Sequence, residues 1–159
     1  MTAQCPEKLS YLDFDLPMAT CPLSVYFQLL RTPVDSEFAR DYTSLHRGYI
    51  GHWKIIDHRL YLSSLHGELN SGEALRLEMI FPGFPDLVFA HWYIGALRIP
   101  RGRMLEYKHS GFGSLYEYDL MILIDEGRVK RLCVINNETQ EVSWDEKSIE
   151  EALHKDTGR

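Results

Sequence analysis

Apolar and aromatic residues alternate with polar ones along residues 45–56, and this period of two is typical of a β-strand. Asp57 and His58 interrupt the alternation, and aspartate tolerates the backbone angles that a two-residue hairpin turn requires. The pattern resumes at residues 60–62, which predicts an antiparallel return strand. The register is predicted to pair three residues of each strand: Ile55 with Leu60, Lys54 with Tyr61, and Trp53 with Leu62. A slip of one residue would invert both faces, so hydrophobicity and register support each other.

The second half of the predicted sheet begins with residues 87–99, which are apolar on both parities. Such a segment is expected to be a long central strand that is covered on both faces. The sequence Pro-Arg-Gly-Arg at 100–103 predicts a turn, after which residues 104–109 would run back. The remaining elements follow in chain order: a glycine loop at 110–113, a strand at 115–124, a tight turn at 125–128 and a strand at 129–136.

The N-terminal segment, residues 1–40, is expected to be irregular. Proline recurs in it, and each proline removes a backbone donor and biases the preceding residue away from helix. Residues 23–30 within it fit either a short buried strand or a helical turn. Residues 71–81 alternate as a strand would, but they are rich in strong helix formers, so we predict a short helix near 72–80.

The C-terminal segment predicts a helix over residues 144–155. Ser143 and Glu146 have the spacing of a capping box at its start. His154 and Lys155 lie near its end, where the helix dipole favours positive charge. We expect this helix to dock on the sheet with Trp144 as its anchor.

These elements together predict a single α+β domain over residues 1–159. Its main part is a strongly bent antiparallel β-meander of about six strands, barrel-like or sandwich, over residues 45–136. The C-terminal helix and the short helix near 72–80 complete it.

Composition narrows the class of protein. In 159 residues, 45% are hydrophobic and 25% are charged, which is ordinary for a globular protein. No apolar run is long enough to span a membrane, and the N-terminus lacks the features of a signal peptide. The three cysteines, Cys5, Cys21 and Cys133, show no CxxC spacing, so we expect reduced thiols and a cytoplasmic location.

The net charge of −6 is unevenly distributed. Residues 1–45 carry three basic and six acidic side chains, residues 46–110 carry eight and six, and residues 111–159 carry six and eleven. An acidic total argues against binding to a nucleic-acid backbone, which needs a dense basic surface. It is compatible with a basic protein partner, because opposite net charges speed encounter, and also with solubility alone.

Residues 109–119 bring together histidine, serine, acidic and aromatic residues with two glycines. Gly111 and Gly113 would let backbone N–H groups approach an anion, and His109 and Glu117 would form an acid–base pair if the loop folds them together. The plain alternative is a long hairpin connection with Tyr116 over the core. The candidate ligand-binding residues are His91, His109, Gly111, Gly113, Tyr116 and Glu117.

The sequence gives little support for a catalytic site or a metal-binding site. His91 and His109 are expected to be cross-strand neighbours, but zinc would need a third ligand, and Glu117 is the only obvious one. Ser110 and Ser114 do not lie in a GxSxG elbow. We therefore predict no metal, no cofactor and no catalytic residue. These observations favour a protein that is not an enzyme, but they leave the question open.

The sequence leaves three functions open. The first is a non-catalytic cytosolic binding protein, for example an acidic inhibitor of the immunity-protein type that neutralises a basic partner. Its candidate partner-binding residues are Asp119, Asp125, Glu126, Glu138 and Glu141. The second is a small enzyme or a protein that binds a small molecule or anion through the loop 109–117. The third is a structural homo-oligomer subunit with exposed aromatic contacts.

Overall fold

The computed structural model describes residues 2–30 and 33–156. Its strands are β1 (Glu7–Tyr11), β2 (Phe14–Met18), β3 (Tyr49–Ile56), β4 (Arg59–Gly67), β5 (Val88–Phe89), β6 (Gly95–Glu106), β7 (Leu115–Asp125), β8 (Arg128–Asn136) and β9 (Val142–Ser143). Its α-helices are α1 (Pro22–Leu29) and α2 (Glu146–His154), and 3₁₀ turns cover Val34–Glu37 and Leu77–Met79. The predicted α+β class is confirmed. The predicted number of about six strands is too low, because nine strands form one sheet over the described residues.

The sheet is strongly curved but not closed. Its strand order is β2-β1-β3-β4-β8-β7-β6, with β5 beside β4 and β9 beside β8. The end strands β2 and β6 lie next to each other, and a backbone bond from the Ala19 N–H to the Arg98 carbonyl (2.9 Å) joins them. The Arg98 N–H in turn donates to the Thr20 hydroxyl at 2.9 Å. We call this incomplete junction the seam.

The concave face of the sheet carries the apolar core. Alternate residues of the strands point inward, including Trp53, Leu62, Leu97 and Ile122, each with at most 1% of its surface exposed. The α2 helix packs on β6, β7 and β8 and buries Ala152 and Leu153. Side chains fill the interior, so the space inside the curve is a packed core.

The prolines of the N-terminal segment predicted an irregular structure, but this segment contains two strands and a helix. β1 and β2 form a tight antiparallel hairpin, and β1 also pairs with β3 in parallel. Leu12 and Asp13 make the turn with φ of 48° and 65°. Pro17 is tolerated because β2 lies at the end of the sheet, where one side of the strand needs no ladder partner. The parallel pair also means that the sheet is not a purely antiparallel meander.

The predicted β3–β4 hairpin is confirmed. Trp53 pairs with Leu62, and the Asp57–His58 turn has positive φ at both residues. The register also shifts between His52 and Trp53, where a bulge lets β3 follow the curve of the sheet.

The segment from 87 to 109 differs from its prediction. The chain turns between β5 and β6, so residues 87–99 are two strands, and β6 is an end strand of the sheet. The proline and glycine of 100–103 lie inside β6, where a register shift between Arg101 and Met104 marks a bulge. Gly102 has φ of +82°, which a bulge can require and a glycine supplies without strain.

Of the two alternatives for residues 23–30, the structure has the helical one, because they belong mainly to α1. Three other predictions about the helices are wrong. Near 72–80 only a 3₁₀ turn forms, at Leu77–Met79. The cap of α2 is Asp145, whose carboxylate accepts from the Ser148 N–H at 2.8 Å, so the predicted Ser143–Glu146 capping box is wrong. Trp144 stays 44% exposed and does not anchor the helix. None of the described helices is both long and apolar enough to cross a membrane.

Arg101 fixes the far end of α2 to the sheet. Its buried guanidinium donates to the Ala152 carbonyl at 3.0 Å and to the Leu153 carbonyl at 3.2 Å. The last carbonyls of a helix lack the usual partner four residues on, although the Ala152 carbonyl also accepts from the Lys155 N–H at 3.2 Å. A cation at this negative end of the helix dipole is favourable. The contact sets the position of the acidic C-terminal residues relative to β6.

Candidate functional site

Many of the residues that the sequence singled out lie in two separate regions. One is the loop between β6 and β7, beside the seam. The other is the C-terminal segment, residues 137–156, which is rich in acidic side chains. A third cluster, around Glu7, was not predicted.

A cavity of about 250 Å³ lies at the seam, between the N-terminal segment, β6 and the β6–β7 loop. We call it the seam cavity. Gly111 and Tyr116, two of the predicted ligand-binding residues, line it. Arg98 organises its wall: its Nε donates to Asp119 Oδ1 at 2.9 Å, and its Nη atoms donate to the carbonyls of Phe112 (2.7 Å) and Ser114 (3.0 Å). The guanidinium therefore holds the loop to the sheet.

The other predicted ligand residues point elsewhere. His109 is exposed, with its ring against the edge of Tyr107, and Gly113 is exposed at the loop surface. Glu117 accepts from the Arg103 N–H at 2.6 Å and thus belongs to the β6 bulge. His91 precedes β6, whereas His109 follows it, so the whole strand separates the two histidines. The expected cross-strand His91–His109 pair and the His109–Glu117 acid–base pair are both wrong.

The C-terminal segment, residues 137–156, carries seven acidic and two basic residues. All seven acidic side chains are exposed, and we call them the acidic face: Glu138, Glu141, Asp145, Glu146, Glu150, Glu151 and Asp156. The salt bridges found among the described residues include none of them. The Ser148 N–H and hydroxyl hold the pKa of Asp145 below its usual range, so this cap stays ionised.

Two exposed apolar side chains lie in the same segment. Val142 is 49% exposed and Trp144 is 44% exposed. The guanidinium of Arg131 stands 4.0 Å from the centre of the Trp144 ring, and this cation–π contact fixes the indole on the surface. An exposed aromatic ring in an acidic segment of the chain is a suitable anchor for a partner.

The five predicted partner-binding residues do not form one patch. Glu138 and Glu141 belong to the acidic face, next to β9. Asp125 and Glu126 are exposed in the β7–β8 turn, at the opposite end of β8. Asp119 is buried, where it pairs with Arg98 and accepts from the Asn137 side chain at 3.2 Å, so it cannot face a partner.

Glu7 is fully buried at the start of β1. Its carboxylate accepts from the Arg47 guanidinium at 2.8 Å, the Gly51 N–H at 2.6 Å and the Trp53 indole N–H at 3.3 Å. Burial raises the pKa of Glu7, and Arg47 and the two N–H donors oppose this rise. Three donors and no acceptor surround the group, which is the environment of a carboxylate. We call it the Glu7 centre.

The Glu7 centre is enclosed and has a structural role. A side chain at Gly51 would come within 2.6 Å of Glu7 Oε1 and of the Trp53 indole nitrogen, so glycine is required there. The sequence offered one signal that was missed. Glu7, Leu9 and Tyr11 share one parity, and this would have placed the carboxylate on the inner face of a strand.

Cys21 lies close to this centre, at the start of α1. Burial, and to a lesser extent the negative charge of Glu7, raise the pKa of Cys21 to about 12. Only the thiolate attacks thiol reagents, so we expect Cys21 of the native protein to react with a disulfide reagent at pH 8 far more slowly than an ordinary thiol. Mass spectrometry of timed samples, with and without denaturant, measures this rate. Equal labelling of native and unfolded protein would contradict it.

A larger concave surface, about 860 Å³, lies elsewhere, on the outer side of β1, β3 and β4. Lys8 and Lys54 contribute positive charge to it, and Asp15 and Asp86 contribute negative charge. Partial burial and the charge of Lys8 lower the pKa of His52, so this ring is neutral at pH 7. Balanced charges favour neither an anion nor a cation, and we assign no ligand to this surface.

Comparisons with protein-family models, with curated proteins and with solved structures find no match to this chain. Among the described residues, no group of three or more histidine, cysteine, aspartate or glutamate side chains is placed to hold a metal ion.

Proposed function

We propose that this chain is a non-catalytic binding protein whose acidic face receives a basic protein partner. The observation that carries the proposal is the set of seven exposed acidic side chains in residues 137–156, the segment that also exposes Trp144. Long-range attraction between this face and a basic surface would accelerate encounter. Trp144 and Val142 would supply the apolar contact that keeps the complex together.

Among the described residues, no side chain of the acidic face takes part in a salt bridge, and this supports the proposal. Carboxylates that already pair with neighbouring lysine or arginine side chains exert little field on a partner. The basic residues near the face are Lys147 and Lys155 of the same segment and Arg131, whose guanidinium lies against the Trp144 ring. Seven carboxylates against these three cations leave a net negative charge on this part of the surface.

Titration with a basic peptide tests whether positively charged partners bind at the acidic face. We expect a lysine-rich peptide to shift the amide resonances of residues 137–156 and the indole resonance of Trp144. Raising the salt from about 0.02 M to about 0.3 M should weaken these shifts, because the screening length shortens. The indoles of Trp53 and Trp92 serve as internal controls, since both are held by hydrogen bonds to Glu7 and to the Pro22 carbonyl.

The same titration has an outcome against the proposal. Shifts of equal size at distant acidic residues, such as Glu68 and Glu78, would show general attraction of cations. An unchanged Trp144 indole at peptide saturation would remove the proposed anchor. Either result would contradict the assignment of the acidic face as the binding site.

A further inference from the structure

We propose that the seam cavity is a binding site for a small, uncharged, planar aromatic molecule. This site is separate from the acidic face, and the proposal does not depend on the basic partner. It follows from the size of the cavity, from the chemistry of its lining and from the state of its polar groups.

The size of the cavity fits two fused rings. An apolar cavity of about 150 Å³ holds a single benzene ring in other proteins. The seam cavity has about 250 Å³. A molecule the size of naphthalene or indole would fill it without displacing the neighbouring strands.

The lining favours an aromatic occupant. Rings of Tyr107, Phe112 and Tyr116 border the cavity, together with the thioether of Met104. Ring edges and faces attract another ring, and a polarisable sulfur also makes favourable contacts with aromatic groups. Ala19, at the junction of the two end strands, leaves the space that the ligand would occupy.

The side chains of Arg98, Gln4 and Ser114 in the lining already have hydrogen-bond partners within the protein. Arg98 donates to Asp119 and to two loop carbonyls, as described above. Gln4 accepts from the His46 N–H at 2.7 Å and donates to the Thr43 carbonyl at 2.9 Å. The Ser114 hydroxyl accepts from the Lys108 N–H at 3.0 Å. A charged ligand would lose its hydration in the cavity, and these side chains would offer it no free opposite charge in return. The site therefore favours neutral molecules.

The test compares 2-naphthol with 2-naphthoate, two probes of similar shape and different charge. We expect 2-naphthol to bind with a Kd of about 0.1–1 mM, which is typical of a ligand with so few atoms. 2-Naphthoate should bind at least about ten-fold more weakly, because no counter-charge replaces its hydration. Amide and side-chain shifts around Met104, Tyr107 and Phe112 should report both titrations.

Two variants locate the binding. Ala19→Leu fills the cavity and should raise the Kd of 2-naphthol at least ten-fold, whereas Ala74→Leu, at an exposed position, should leave it unchanged. Phe112→Ala removes one ring of the lining and should also weaken binding. It serves as the test if Ala19→Leu does not fold. Equal affinity of Ala19→Leu and wild type, tighter binding of 2-naphthoate, or shifts outside the seam would each overturn the proposal.

Discussion

Replacing Glu7 by alanine is expected to lower the free energy of unfolding by about 3–5 kcal/mol, which is typical when one partner of a buried ion pair is removed. The Arg47 side chain is only 11% exposed and would keep its charge without the carboxylate. Its Nε already has no hydrogen-bond partner among the described residues. The Gly51 and Trp53 N–H groups would also lose their acceptor.

Denaturant unfolding at pH 7 measures this loss. The double variant Glu7→Gln, Arg47→Met is the control, because it removes both charges and keeps an acceptor for Gly51 and Trp53. We expect it to be more stable than Glu7→Ala, since exchanging a whole buried pair for neutral groups is often nearly neutral. A loss below about 1 kcal/mol in Glu7→Ala, or no recovery in the double variant, would show that the Glu7 centre does not stabilise the fold.

The pH dependence of the same variants has a definite sign. Because the pKa of Glu7 is raised, the folded state binds its proton more tightly than the unfolded state does. The contribution of Glu7 to the free energy of unfolding therefore falls as the pH rises from the ordinary glutamate pKa to the raised one, and is constant above it. The Glu7→Gln, Arg47→Met variant should lack this part of the slope.

The sequence predicted those elements in which a short-range signal and the core agreed. The β3–β4 register followed from alternation on both strands, because only one register buries both Trp53 and Leu62. The turn between β7 and β8 followed from Glu126 and Gly127, both of which have positive φ. Here local chemistry and burial require the same structure.

The predictions were wrong where a proline or glycine, which usually ends a strand, lies inside one. Pro17 stands in β2 and Pro100 in β6, and both strands are at the ends of the sheet order, where a missing donor costs little. Gly102 suggested a turn, but a bulge has the same backbone requirement. The β1–β3 pairing joins residues more than forty positions apart, and no local pattern reports it.

The candidate sites were predicted only in part, because their arrangement also depends on contacts between distant segments of the chain. The loop at 110–113 was identified from its composition, but which of its side chains face the seam cavity depends on the closure of β2 onto β6. The acidic residues were identified from the sequence, but only the strand topology shows that they lie in different parts of the fold. β8 places Glu126 and Glu138 at its opposite ends, and the ion pair with Arg98 removes Asp119 from the surface.

Reversing the charge of Glu138 and Glu141 is expected to slow association with a basic partner about ten-fold at low salt. Both side chains are exposed in the turn before β9, beside Val142. The two substitutions change the local charge by four units without touching the core. The rate should converge with that of the wild type as salt screens the field.

The matched control is Glu68→Lys, Glu78→Lys, which changes the net charge equally. Both residues are exposed, and Glu68 follows β4 at the end far from β8. If net charge alone governed association, both double variants would slow it to the same extent. If the acidic face is the site, the control variant should behave almost as the wild type does.

Capture of proteins from native cell lysate would show whether the acidic face binds a basic partner. Three proteins are compared at low and at high salt: the wild type, the double variant Glu138→Lys, Glu141→Lys and the control Glu68→Lys, Glu78→Lys. We expect the wild type and the control to retain a basic protein at low salt and to release it at high salt, and we expect the Glu138→Lys, Glu141→Lys variant not to retain it. Equal retention on all three proteins, or retention of no basic protein by the wild type, would show that the acidic face is not the binding site.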